Sequence, residues 1–216
     1  MARLLISGAS GLVGKIALWH ALDDARVDQV VSLGRRPLPI QHPKLEQRIV
    51  DFAAPLSALG NFDAACCALG TTMRVAGSQA AFRAVDHGAV LAFARAAKAA
   101  GVRRFALVSS VGADAASGNF YLAVKGEAER DLADMSFPAL TILRPGLIIG
   151  ARAERRPLEK LAQKLAPFFD PLLQGQWRRY RSISAQDVAL ALLNGALQDN
   201  PGGILEHDAI RRLARL

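Results

Sequence analysis

Arg3-Leu4-Leu5-Ile6-Ser7-Gly8-Ala9-Ser10-Gly11-Leu12-Val13-Gly14 reads as an apolar strand, a glycine turn and the start of a helix whose pattern continues to Leu22. Glycines at 8, 11 and 14 let the backbone turn sharply, approach a ligand with no Cβ in the way, and pack the helix closely on the strand. Amides exposed at the helix N-terminus then favour a phosphate. The spacing is G-x-x-G-x-x-G rather than G-x-G-x-x-G, and a tight turn that binds nothing would use the same residues. Its place between a first strand and a helix favours a dinucleotide site.

Outward from this turn, apolar runs alternate with helical patterns, and the runs are continuous enough to be buried on both faces. Further strands are predicted over Gln29 to Leu33, Gln47 to Phe52, Asp63 to Leu69, Phe105 to Ser109 and Ala139 to Leu143. Helices are predicted over Gln79 to Ala100, closed by Gly101, and over Tyr121 to Ala133, Leu158 to Ala166 and Ala185 to Leu197. With right-handed crossovers this order gives an α/β fold, a single-domain doubly wound parallel sheet, Rossmann-like, with helices on both faces and its ligand at the strands' carboxyl ends.

The 216 residues are 51% hydrophobic and 21% charged, with no composition shift or repeat to mark a linker. One domain over 1–216 is expected, with a small substrate-side segment from about 150 to 216. Cys66 and Cys67 are adjacent in an apolar run, so their side chains face opposite ways, which disfavours an ordinary disulfide between them. They read as small buried hydrophobes of a reduced cytoplasmic protein. Leu4 to Ile6 is too short for a signal-peptide core, and no stretch has the length of a membrane span.

The net charge of +8 suits an anionic ligand, and Arg178-Arg179-Tyr180-Arg181 is the densest basic cluster. With aromatics at 6% and the charge spread along the chain, a solvated basic surface is preferred to nucleic-acid binding. No metal site is expected.

Function is therefore sought at the strands' carboxyl ends. Arg35 and Arg36 follow the second strand where an NAD site would carry an acid for the ribose 2′-hydroxyl, and two guanidiniums suit a 2′-phosphate instead. NADP(H) is accordingly preferred. Asp51-Phe52 could contact the adenine, or Asp51 could cap the next turn. Leu69-Gly70-Thr71-Thr72 offers a glycine for close backbone approach and two hydroxyls, as a cofactor wall or a plain loop would.

Ser109-Ser110 ends the fifth strand, and Tyr121 and Lys125 form Y-x-x-x-K at the start of a helix, on one face. A phenol ordinarily titrates near pH 10, and a nearby ammonium and a positive nicotinamide ring favour the phenolate. The pair could serve as a general acid/base, with Ser110 holding a substrate carbonyl oxygen and Lys125 the nicotinamide ribose. A half-buried Tyr and a solvated Lys at this spacing also arise by chance.

On the segments GASGLVG, LGRR, VDF, CCALGTT, LVSSVGAD, NFYLAVKGEAE and LRPGLIIG, in that order, the chain resembles the atypical or extended short-chain dehydrogenases/reductases, and within them the Tat-interacting-protein oxidoreductase family. The resemblance covers most of residues 1 to 156. It implies NADPH binding, with Ser10, Gly11, Leu12 and Val13 on the pyrophosphate, Arg35 and Arg36 on the 2′-phosphate, and Leu69 and Gly70 as the wall. It also implies catalysis by Ser110, Tyr121 and Lys125. Ile148 and Arg156 match positions flanking the nicotinamide end and the phosphates, and Pro145 fixes a loop whose backbone serves the carboxamide.

Ser110 lies only 11 residues before Tyr121, and Ser109 could take its role. The short C-terminal segment makes a nucleotide-sugar epimerase the weaker reading. An NADPH-dependent oxidoreductase acting on a small carbonyl substrate is favoured over an NADPH-sensing regulatory or protein-interaction module. A homodimer or a protein partner is compatible with either.

Overall fold

Strand β1 (Ala2–Ser7) lies between β2 (Val27–Gly34) and β4 (Ala64–Cys67), parallel to both. The computed structural model describes residues 1–56, 59–150, 170, 173–199 and 202–216. β2 pairs outward with β3 (Leu45–Ile49); on the other side follow β5 (Arg104–Val108), β6 (Ala139–Leu143) and β9 (Gly202–Leu205). The sheet has seven strands in the order β3-β2-β1-β4-β5-β6-β9, every pair parallel. The chain runs outward from β1 to β3 and then returns past β1 to β4, so the carboxyl ends of β1 and β4 flank the crevice where such sheets bind ligands.

Alternation along the strands divides the core. Leu4, Ile6, Val30, Ala64, Cys66 and Ala106 pack beneath α1 (Leu12–Asp23) and α6 (Ala185–Leu197). Leu5, Val31, Leu33, Ala65, Cys67, Phe105 and Leu107 pack beneath α4 (Val90–Ala99) and Leu132 of α5 (Phe120–Ala133). The two cysteines thus enter opposite layers, and both are free and fully buried. Burial pushes both thiols up, Cys67 to about 12.

Strand limits differ from the sequence reading by a few residues, most at β3. It starts at Leu45 and ends at Ile49, because Asp51 Oδ1 accepts the Ala53 amide at 2.9 Å and turns the chain before Phe52. β9 is a seventh strand that the periodicity misses. It is an edge strand with two glycines and an exposed Ile204, and its Gly202 sits at φ +77 where a Cβ would fall 2.3 Å from Leu140 O. A short parallel pair, β7 (Ile148–Ile149) with β8 (Ile183–Ser184), and α7 (His207–Leu213) also escape it. The helix predicted at Leu158 to Ala166 lies outside the described residues.

The helix predicted over Gln79 to Ala100 is broken in register. α2 (Met73–Ala76) precedes α3 (Gln79–Arg83), a π-helical segment follows over Ala84–Ala89, and only then does α4 run on to the Gly101 cap at φ +78. No helix among the described residues is long and apolar enough to cross a membrane.

Candidate functional site

Gly8 sits at φ +83, and a Cβ there would lie 2.3 Å from the Ala68 carbonyl, so the β1 and β4 ends touch through a residue without a side chain. A Cβ on Gly14 would fall 2.2 Å from Gly8 O, which is how α1 comes down onto the turn. Gly11 is the N-cap of α1; no side chain caps that end and no acid stands in its first turn, which leaves Leu12 and Val13 amides for an anion. Ser10 and Gly11 are exposed, and Leu12 carries the turn toward Gly150, just after β7. Ile148 and the turn are thereby neighbours.

Leu69, Gly70 and Thr71 follow β4 against this turn. A Cβ on Gly70 would meet Asp86 Oδ1 at 3.3 Å and Lys125 Nζ at 3.6 Å. Lys125, in the second turn of α5, is not a solvated surface cation: it is buried, and its Nζ lies 2.7 Å from Asp86 Oδ1 as an ion pair. Asp86 Oδ2 accepts the Thr71 amide at 2.8 Å. Burial opposes the charge on Lys125, but the Asp86 carboxylate and then Tyr121 outweigh it, so its ammonium is held above the ordinary lysine range.

Asn119 caps α5 by accepting the Leu122 amide at 3.2 Å, so Tyr121 stands in the first turn. Its half-buried ring leans on Phe82 of α3, centroids 5.4 Å apart. Gly126 lets α5 press on the loop after β5, where a Cβ would come within 2.1 Å of Ala115 N.

The two serines part company. Ser109 is buried and donates its hydroxyl hydrogen to Glu129 Oε1, which with Oε2 also takes a forked contact from Arg144, Nη2 to Oε2 being 2.5 Å. Ser110 is only half-buried and makes one long bond, 3.3 Å to Val111 O. Of the two, Ser110 has the hydroxyl to spare. Val111 N donates to Pro145 O at 3.0 Å, which joins the β5 and β6 loops on the same edge.

The chain from residue 8 to residue 199 matches the model of the NAD(P)H-binding family. It belongs to that family. It is 37% identical to protein HTATIP2 of Rattus norvegicus over 98% of this chain and 89% of that one. It is 34% identical to protein FMP52, mitochondrial, of Coccidioides immitis over 91% and 86%. Among solved structures, a putative NAD-dependent epimerase/dehydratase from Bacillus halodurans superposes with TM-score 0.69 at 21% identity, covering 100% of this chain and 99% of that one. MoeE5 in complex with UDP-glucose and NAD gives 0.68 at 21%, covering 94% and 75%. At those identities the structures speak for the Rossmann-like fold alone.

A nicotinamide dinucleotide, the ligand of the NAD(P)H-binding family, fits what this chain offers: an uncapped helix end beside a turn with glycines at 8 and 11, and a side-chain-free wall at Gly70. Arg35 and Arg36 stand exposed at the end of β2, without an ion pair among the described residues. Asp51 is exposed and does cap its turn; Phe52 beside it is half-buried. Arg156 lies outside the described residues. The Arg178 to Arg181 stretch passes beside the loop after β6, where a Cβ on Gly146 would come within 2.6 Å of Arg181 O; Arg178 itself pairs with Asp208 at 3.1 Å.

Three residues at the site carry no motif role in the sequence reading: Asp86, Glu129 and Arg144. Asp86 had a signal, a carboxylate on the buried stripe that Phe82, Ala89, Val90 and Phe93 define. Glu129 and Arg144 stand inside the NFYLAVKGEAE and LRPGLIIG segments without a role of their own in that reading, because a pair on separate elements leaves no periodic sign of its pairing.

Proposed function

We propose that this protein is an NADPH-dependent oxidoreductase that reduces a small aldehyde or ketone, with Tyr121 as the proton donor. The observation that carries this reading is the buried, charged Lys125 beneath Gly70, four residues along α5 from Tyr121 and close enough for the phenol to bear on its charge. A buried ammonium is costly unless it does something or is paired. This one is paired, and it faces the wall.

In this reading Ser10 to Val13 with Gly8 and Gly14 hold the pyrophosphate. Arg35 and Arg36 take the 2′-phosphate, Asp51 and Phe52 border the adenine, and Leu69, Gly70 and Thr71 form the wall. Pro145 and Ile148 border the nicotinamide end. The reduced nicotinamide, when bound, supplies the hydride. Ser110 donates a hydrogen bond to the substrate carbonyl oxygen, and Tyr121 transfers its O–H proton to that oxygen as the carbon is reduced. Lys125 keeps a positive charge beside the phenolate that forms, and binds the ribose hydroxyls. The free thiols suit a cytoplasmic location, and the fungal relatives carry the word mitochondrial in their names.

NADPH oxidation against a panel of aldehydes and ketones, with Tyr121→Phe beside the parent, tests the reading. Turnover should fall by at least about 100-fold in Tyr121→Phe while NADPH binding is kept. Tight NADPH binding with no phenol-dependent turnover on any carbonyl would leave a cofactor-sensing module as the better reading.

A further inference from the structure

We propose that Asp86 is a positioning residue of this site, holding the Lys125 ammonium and the Gly70–Thr71 wall in one place from the π-helical turn. The proposal rests on the oxidoreductase reading for its catalytic half only. Three observations meet at this side chain. Its two oxygens are divided between two different elements, Oδ1 at 2.7 Å from Lys125 Nζ of α5 and Oδ2 at 2.8 Å from the Thr71 amide after β4. The side chain is wholly buried, so neither contact is shared with solvent. And it lies in the segment Ala84–Ala89, where the wider π turn interrupts a helix that would otherwise run on to Ala99; such interruptions recur at functional sites.

A carboxylate in this position does two things. It fixes the wall relative to the lysine, so that a cofactor lying along Gly70 meets the ammonium at a set distance. It also adds a negative charge that keeps the Lys125 ammonium protonated beside the tyrosine that gives up its proton. The groups facing Lys125 are Asp86 from the π segment, Tyr121 from its own helix and the buried Cys67 from β4. His87–Asp131 and Arg83–Glu127 tie the same two helices together further out. Without the Asp86 charge Lys125 releases its proton more readily, so the basic limb of the reduction, where it follows the Lys125 charge, moves to lower pH.

The test compares the parent with Asp86→Asn, which preserves the acceptor for Thr71 but not the charge, and with Asp86→Glu, which restores the charge. We expect Asp86→Asn to lower kcat at least tenfold with little change in the carbonyl KM, and to move the basic limb of the pH profile down by a unit or more. Asp86→Glu should return the limb to its parental pH. In 13C-lysine-labelled protein without substrate, assigned with Lys125→Arg, the Lys125 midpoint should fall by at least one unit in Asp86→Asn. A limb and a midpoint both at parental pH overturn the proposal, whatever the loss of kcat, because a merely structural role would lower turnover alone.

If Tyr121→Phe turns over like the parent, the oxidoreductase reading fails by itself, and the Lys125 midpoint with the NADPH Kd decides for Asp86: both unmoved overturn it, and a lowered midpoint with threefold or weaker binding supports it. Should Asp86→Asn not fold, Asp86→Glu decides: a lowered kcat at parental carbonyl KM and parental Tm supports the proposal, and a parental kcat, or a fall in kcat that comes with a fall in Tm, overturns it.

Discussion

A methyl group at position 8 has nowhere to go. Alanine there would need a left-handed backbone, costing roughly 1–2 kcal/mol, and would drive its Cβ into the Ala68 carbonyl. Together with overpacking of about 1–3 kcal/mol, Gly8→Ala should lose on the order of 2–5 kcal/mol in urea denaturation, and NADPH binding with it. Arg35 and Arg36 can be tested without touching the core. Charge-assisted bonds to a phosphate contribute about 1.5–3 kcal/mol each, so Arg35→Asp with Arg36→Leu should weaken NADPH at least tenfold and leave NADH nearly as before. Equal losses for the two cofactors would remove the 2′-phosphate assignment.

At the scale of elements, α5 is clamped from both sides. Gly126 seats it on the loop carrying Ser110, so Gly126→Ala should push that loop away from Tyr121 and cost about 1–3 kcal/mol of stability, read as a lower Tm together with a fall in kcat. On the sheet side Glu129 ties α5 to Arg144 after β6 and to Ser109 after β5. Removing one partner of a buried pair strands the other; Arg144 is partly open to water, so Glu129→Ala should cost about 2–4 kcal/mol, less than a fully enclosed pair. A loss below 1 kcal/mol in chemical denaturation would show that water readily replaces the carboxylate.

For the whole molecule, the ionisable pairs define a pH window. Asp24, Glu127, Asp131 and Asp208 are held below the ordinary carboxylate range, by Arg26, Arg83, His87 and then Arg130, and His207 respectively. A depressed carboxylate contributes stability above its unfolded pKa of about 4, and that contribution is lost as pH falls through the folded value. Lys125 is held in the opposite direction, with burial opposing and Asp86 prevailing, so its contribution is present below about pH 10.4 and is lost as pH rises through the folded value. Urea midpoints should therefore be flat between about pH 5 and pH 10 and fall on either side. The alkaline fall should come earlier in Asp86→Asn, where burial opposes the Lys125 charge without the Asp86 carboxylate to offset it.

The local pattern was enough to determine the doubly wound sheet, the glycine turn, and the placing of Tyr121 and Lys125 on one helical face, because each leaves its mark in the periodicity or turn residues of a short stretch. Burial of the cysteines in opposite layers was equally legible, since strand side chains alternate. Tertiary structure decided the rest. It chose Ser110 as the serine with a hydroxyl to spare by engaging Ser109 with Glu129, added β9 as an edge strand too glycine-rich to show a period, and opened a π turn within an alanine-rich helix. That turn brings Asp86 to Lys125, 39 positions along the chain. Short-range periodicity records which face a residue takes, while the partner of a buried charge is set by which elements the folded chain brings together.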